Sequence, residues 1–126
     1  MSEYGNVLET NVLEDFIGKT FCDVKTVNED EELHFCLESG EKYIFYHEQD
    51  CCESVTIDDI CGELSDLIGS PITMAEEVIH ESTNAEYGDS QTYTFYKFAT
   101  AKGYVTVRWY GTSNGYYSES VDFRKE

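Results

Sequence analysis

Positive charge is nearly missing from residues 1–89 of this 126-residue sequence, where Lys19, Lys25 and Lys42 stand against 23 Asp and Glu, a net −20. Residues 90–126 reverse the balance, with Lys97, Lys102, Arg108, Arg124 and Lys125 against Glu119, Asp122 and Glu126. A surface this one-sided repels nucleic acid and anionic membrane and attracts basic protein surfaces. Long apolar runs are missing too: none approaches the ~20 residues that a spanning helix needs, and MSEYGNVLETN lacks the regions of a signal peptide. A cytoplasmic protein without membrane contact is expected. The five cysteines include no CxxC spacing and are odd in number, which fits reduced thiols better than a disulfide framework. The EF-hand, P-loop and dinucleotide patterns are absent, so no catalytic residue, enzymatic activity or cofactor is assigned.

What is present is aromatic. Seventeen Phe and Tyr plus Trp109, in a chain 40% hydrophobic, supply large core side chains for one domain. Residues 1–10 read as a flexible N-terminus and 11–126 as the domain. Asn11 with Glu14 forms a capping box opening a short helix with Leu13, Phe16 and Ile17 on one face, ended by Gly18. Strands are expected at Thr20 to Val27, Glu32 to Glu38 and Lys42 to His47, the last two joined by the turn Ser39-Gly40-Glu41. Thr56 with Asp59 caps a second helix, in which Ile57, Ile60, Cys61, Leu64, Leu67 and Ile68 follow the i, i+3, i+4 rule. Gly69 and Pro71 end it. LEDFIG at 13–18 echoes LSDLIG at 64–69, as two similar helix-to-strand joints would. Ile72 to His80 is a strand and Ser82 to Ser90 a hydrophilic loop. Gln91 to Thr100, Gly103 to Tyr110 and Tyr116 to Phe123 are strands rich in Tyr, Phe, Val and Thr, with Asn114-Gly115 turning the last hairpin. Val105, Val107 and Trp109 face the core, and Tyr104, Thr106, Arg108 and Tyr110 face away. The fold class is α+β: a mainly antiparallel sheet of about seven strands with two short helices.

Reactive side chains crowd into His47-Glu48-Gln49-Asp50-Cys51-Cys52-Glu53. Imidazole with thiolate is a zinc-ligand set, so His47, Cys51 and Cys52 make an alternative metal site. A second ligand pair is not evident, and the simpler reading packs Cys51 or Cys52 in the core while His47 bonds nearby backbone. Gly111 to Gly115 matches GxSxG, but a strand follows it and no histidine lies after His80, so hairpin geometry explains the glycines. The run Glu29-Asp30-Glu31-Glu32 puts four charges on roughly 10–13 Å of extended chain, a density that acids on neighbouring elements could bring toward that of a DNA duplex face. Arg108 and Tyr110, out of phase with Trp109, suit a protein contact.

Two stretches, YHEQDCCESVTIDDICGELSDLIGSPI at 46–72 and TYTFYKFATAKGYVTVRWYGTSNGYYSESVDF at 92–123, resemble a family of small uncharacterised proteins of tailed bacteriophages. The resemblance covers nearly half the chain through strings such as QDCCESV, KGYVTVRWYG and SNGYYSE. It implies a phage product in the host bacterial cytoplasm and carries no catalytic residue. With the charge, it yields the expectation of an acidic binding protein, a DNA-mimic inhibitor of a host nucleic-acid-binding defence protein of the anti-restriction or anti-CRISPR type. The partner is then a host protein with a basic surface, contacted by Glu29, Asp30, Glu31, Glu32, Arg108 and Tyr110. A small metal- or thiol-dependent module centred on His47 to Glu53 is the alternative.

Overall fold

A computed structural model describes residues 13–84, 89–114 and 118–126, with the backbone alone at 83, 84 and 89. Asn11 and the expected flexible N-terminus lie outside these residues. Strands β1 (Asp23–Val27), β2 (Glu32–Cys36), β3 (Lys42–Tyr46), β4 (Ser54–Cys61), β5 (Met74–Asn84), β6 (Asp89–Thr100), β7 (Gly103–Ser113) and β8 (Asp122–Lys125) follow in chain order, with a 3-10 helix at Leu64–Leu67. They form two four-stranded sheets, β1-β2-β3-β8 and β4-β7-β6-β5, whose strand pairs are all antiparallel. Among the described residues no helix is long and apolar enough to cross a membrane.

The sheets meet face to face through strands such as β2 and β7, in which buried residues alternate with more exposed ones. Leu33 and Phe35 on β2, Phe98 on β6, and Val105, Val107 and Trp109 on β7 are all fully buried, whereas Tyr104 is 70% exposed. Rings bridge the layers, Phe35 to Phe98 at 4.9 Å and Phe45 to Tyr96 at 4.7 Å between centroids. Each such ring contributes about 1.5–3 kcal/mol by leaving water. Phe16, on a helical turn at 13–16, plugs one end against Phe21, Phe35, Tyr43 and Phe98.

Two expected elements are different in the structure. The second helix is instead strand β4 followed by the 3-10 helix. A bulge between Ile57 and Asp59 shifts the register of β4 against β7, so the core-facing positions are Val55, Ile57 and then Ile60. The three-residue step across the bulge imitates a helical repeat, while β-branched Val55, Thr56 and Ile57 favour the strand. Gly62, at φ +102°, ends β4 where a Cβ would strike the Tyr104 carbonyl.

The last hairpin does not form either, and the single sheet of about seven strands becomes two sheets of four. After β7 the chain crosses over, and β8 pairs with β3 in the first sheet. Phe123 thereby stacks on Tyr43 at 5.7 Å and meets Phe45 at 5.2 Å, and Val121 is buried on the crossover. Gly115, Tyr116 and Tyr117 lie outside the described residues. Of the expected loop at 82–90, both ends belong instead to the β5–β6 pair, which runs out to Asn84 and Asp89.

The two echoing segments are the similar joints expected. Gly18 and Gly69 take φ +87° and +82° after their helical turns. The joints also stitch to each other, through the parallel bridges Ile17 to Ile72 and Phe21 to Ile68.

Candidate functional site: an acidic turn beside an aromatic sheet face

The β1–β2 connection holds most of the acidic run. Asn28, Glu29 and Asp30 take φ of 56°, 55° and 69°, left-handed conformations that Asn and Asp tolerate better than other side chains and that cost a residue such as Glu29 roughly 1–2 kcal/mol. The run is therefore a tight turn, not extended chain. Glu31 N–H closes it on Val27 and Asn28 carbonyls, both at 3.2 Å, and the Asp30 carbonyl accepts from Ile57 N–H on β4 at 2.9 Å. Glu29, Asp30 and Glu31 point to solvent. Glu32 differs: it is half-buried and accepts a 2.7 Å bond from His34. That bond holds its carboxyl below the ordinary value, against partial burial.

Arg108 and Tyr110 lie on the outer face of the second sheet, as their phase requires. Arg108 donates from Nε (2.8 Å) and Nη2 (3.1 Å) to the two carboxylate oxygens of Asp58, bonds that raise the guanidinium further above its ordinary value. It also lies 5.4 Å from the Tyr93 ring centre, and Tyr93 meets Tyr110 at 4.9 Å. The bulge that carries Asp58 follows the residue tied to Asp30, so two candidate contacts far apart in sequence come together across β4. Sequence reasoning missed Asp58, Asp59, Tyr93 and Phe95 in this group. The alternation of β6 could have placed the two rings.

The His47 to Glu53 segment is a built loop between the sheets. His47 Nδ1 lies 2.7 Å from the Ser120 carbonyl and Nε2 lies 2.6 Å from Glu53 Oε2. Both ring nitrogens are thus engaged by oxygens from elsewhere in the chain. Glu53 also accepts from Asp50 N–H at 2.8 Å and Cys51 N–H at 2.9 Å. Burial pushes its carboxyl up, but the bonds from His47, Cys51 and Asp50 outweigh this and hold it down at about 2. The chain wraps around this carboxylate and turns Cys51 and Cys52 outward, which corrects the expectation that one of them is buried. Their sulfurs are paired as a vicinal disulfide; Cys22, Cys36 and Cys61 are free thiols. With both imidazole nitrogens bonded to oxygen and the two sulfurs to each other, the zinc set presents no free donor atom as arranged.

A second buried carboxylate had no sequence signal. Glu119, on the crossover, accepts from the hydroxyls of Ser90, Thr92 and Ser113. A Cβ on Gly111 would lie 2.9 Å from the Glu119 Cβ, so this glycine and Ser113 of the GxSxG string serve the crossover strap and not a nucleophile elbow.

Residues 14–123 match a family described as "Domain of unknown function (DUF7448)". The chain belongs to this family. No curated protein and no solved structure matches it. In this DUF7448 member, the matched span holds both the acidic turn and the aromatic face.

Proposed function

We propose that this chain is an acidic binding protein, encoded by a tailed bacteriophage, that occupies a basic surface on a host protein in the bacterial cytoplasm. It presents carboxylates in place of phosphates, as an inhibitor of a nucleic-acid-binding defence protein of the anti-restriction or anti-CRISPR type. The observation that carries this reading is the strained turn: Glu29 and Asp30 are held left-handed and Asp30 is tethered to β4 through its carbonyl, so the backbone that presents the acids is fixed. Left-handed residues other than glycine persist where the surroundings over-determine them, and such strain concentrates at binding sites. The net charge of −18 adds long-range steering, which speeds encounter with a basic surface and fades as salt screens it.

The test is capture of bacterial lysate proteins on the immobilised chain at about 50 mM and about 500 mM salt, followed by competition with duplex DNA. A basic protein retained at low salt and displaced by DNA is the expected result. Capture that survives high salt and ignores DNA would overturn the mimic.

A further inference from the structure

The second sheet has one face on the core and one turned outward, and the registers of β5, β6, β7 and β4 fix what the outward face carries. One cross-strand row reads Val78, Phe95, Arg108, Asp59, and the next reads His80, Tyr93, Tyr110, Thr56. None of these side chains is buried. Their rings are nevertheless assembled: His80 meets Phe95 edge-on at 6.0 Å, Tyr93 lies 6.3 Å from Phe95, and Tyr93 lies 4.9 Å from Tyr110. A solvated sheet face carries polar residues in such rows. Here large apolar area is concentrated in the middle.

Charge decides what suits it. Arg108, the one Lys or Arg within these two rows, is already committed to Asp58. Asp59 stands opposite Arg108 and is exposed, and the acidic turn joins the same strand through Asp30 and Ile57. The β4 side of the face is therefore negative, and while Arg108 already lies over Tyr93, the faces of Phe95 and Tyr110 add attraction for further cations. Arg and Lys side chains match both parts, with aliphatic stems on the rings and charged heads beyond them.

Resting on the function proposed above, we propose that this face, centred on Tyr93, Phe95 and Tyr110, is the docking surface for a basic segment of the partner protein. Its stems lie across the rings and its charges reach Asp59 and the acidic turn. The face supplies the desolvated centre of the interface, where binding energy concentrates, and the turn supplies the charged rim, which governs encounter.

The probe is a synthetic peptide of about 16 residues alternating Arg with Leu, with a control in which Gln replaces Arg. Binding to the full chain is followed by amide chemical shifts and titration at low salt. Shifts at 93–97 and 106–110, at least tenfold weaker binding to Tyr93→Ala/Tyr110→Ala, and equally weak binding of the Gln control are expected. Equal binding of the Gln control would show an apolar occupant instead. Shifts confined to 28–32 would overturn this inference while leaving the function above standing; no binding of the Arg peptide anywhere would overturn both. Dimerisation of the free chain through this face, abolished in the double variant, would make a second copy the occupant and defeat the proposal. Since the shifts are read on the wild-type chain, the outcome stands even if the double variant does not fold.

Discussion

Trp109 is the largest fully buried side chain, and its indole N–H has no hydrogen-bond partner among the described residues. Its burial was legible from alternation with Val105 and Val107; the orphaned donor was not, because partners come from other strands. Trp109→Ala should lower stability by about 3–5 kcal/mol, and Trp109→Phe by clearly less, since it sheds the orphan along with some volume. Urea midpoints of the two variants check the order. Glu29 makes the opposite case, an exposed residue under strain that no residue-type preference signals. Glu29→Gly should raise stability by about 0.5–1 kcal/mol, the relief of φ 55° less the added freedom of the unfolded chain. An unchanged or lower melting temperature would contradict the strain.

Between residue and element stands the loop from His47 to Glu53. Glu53 is depressed from an ordinary 4.5 to about 2, so the folded state binds its proton less readily than the unfolded chain does. Its contribution is complete above about pH 4.5 and is lost as pH falls toward about 2. Wild-type stability should fall across that window more steeply than that of Glu53→Gln, read as denaturation midpoints against pH. The sequence put His47 and Glu53 in one loop, but the third partner, Ser120, lies 73 residues from His47. The cysteines were misread for the same reason: the carboxylate that turns them outward acts through backbone N–H groups. Strand β4 imitates a helix because its bulge sets the core-facing positions three apart, and only the β-branched run Val55, Thr56 and Ile57 speaks locally for the strand.

For the whole molecule, charge and topology act together. The β1–β2 turn and β4 belong to different sheets, so only their stacking sets the acidic turn beside Asp58 and Asp59. Replacing Glu29, Asp30 and Glu31 with Lys should slow association with the captured partner by about tenfold at low salt, with the difference shrinking as salt rises. Stopped-flow rates over a salt series would test this. Glu32 is left out because its bond to His34 makes its reversal a change to the fold.

The sequence by itself determined the β2–β3 hairpin, the long central strands, the inward face of β7 and the sign of the surface. Each of these rests on local alternation, turn chemistry or composition, which neighbouring residues carry. Tertiary structure decided the partition into two sheets, the crossing of β8 to β3, the hydroxyl cage around Glu119 and the meeting of Arg108, Asp58 and the acidic turn. Those features depend on which faces bury the aromatic side chains against each other. That choice balances the whole core at once, and no window of sequence contains it.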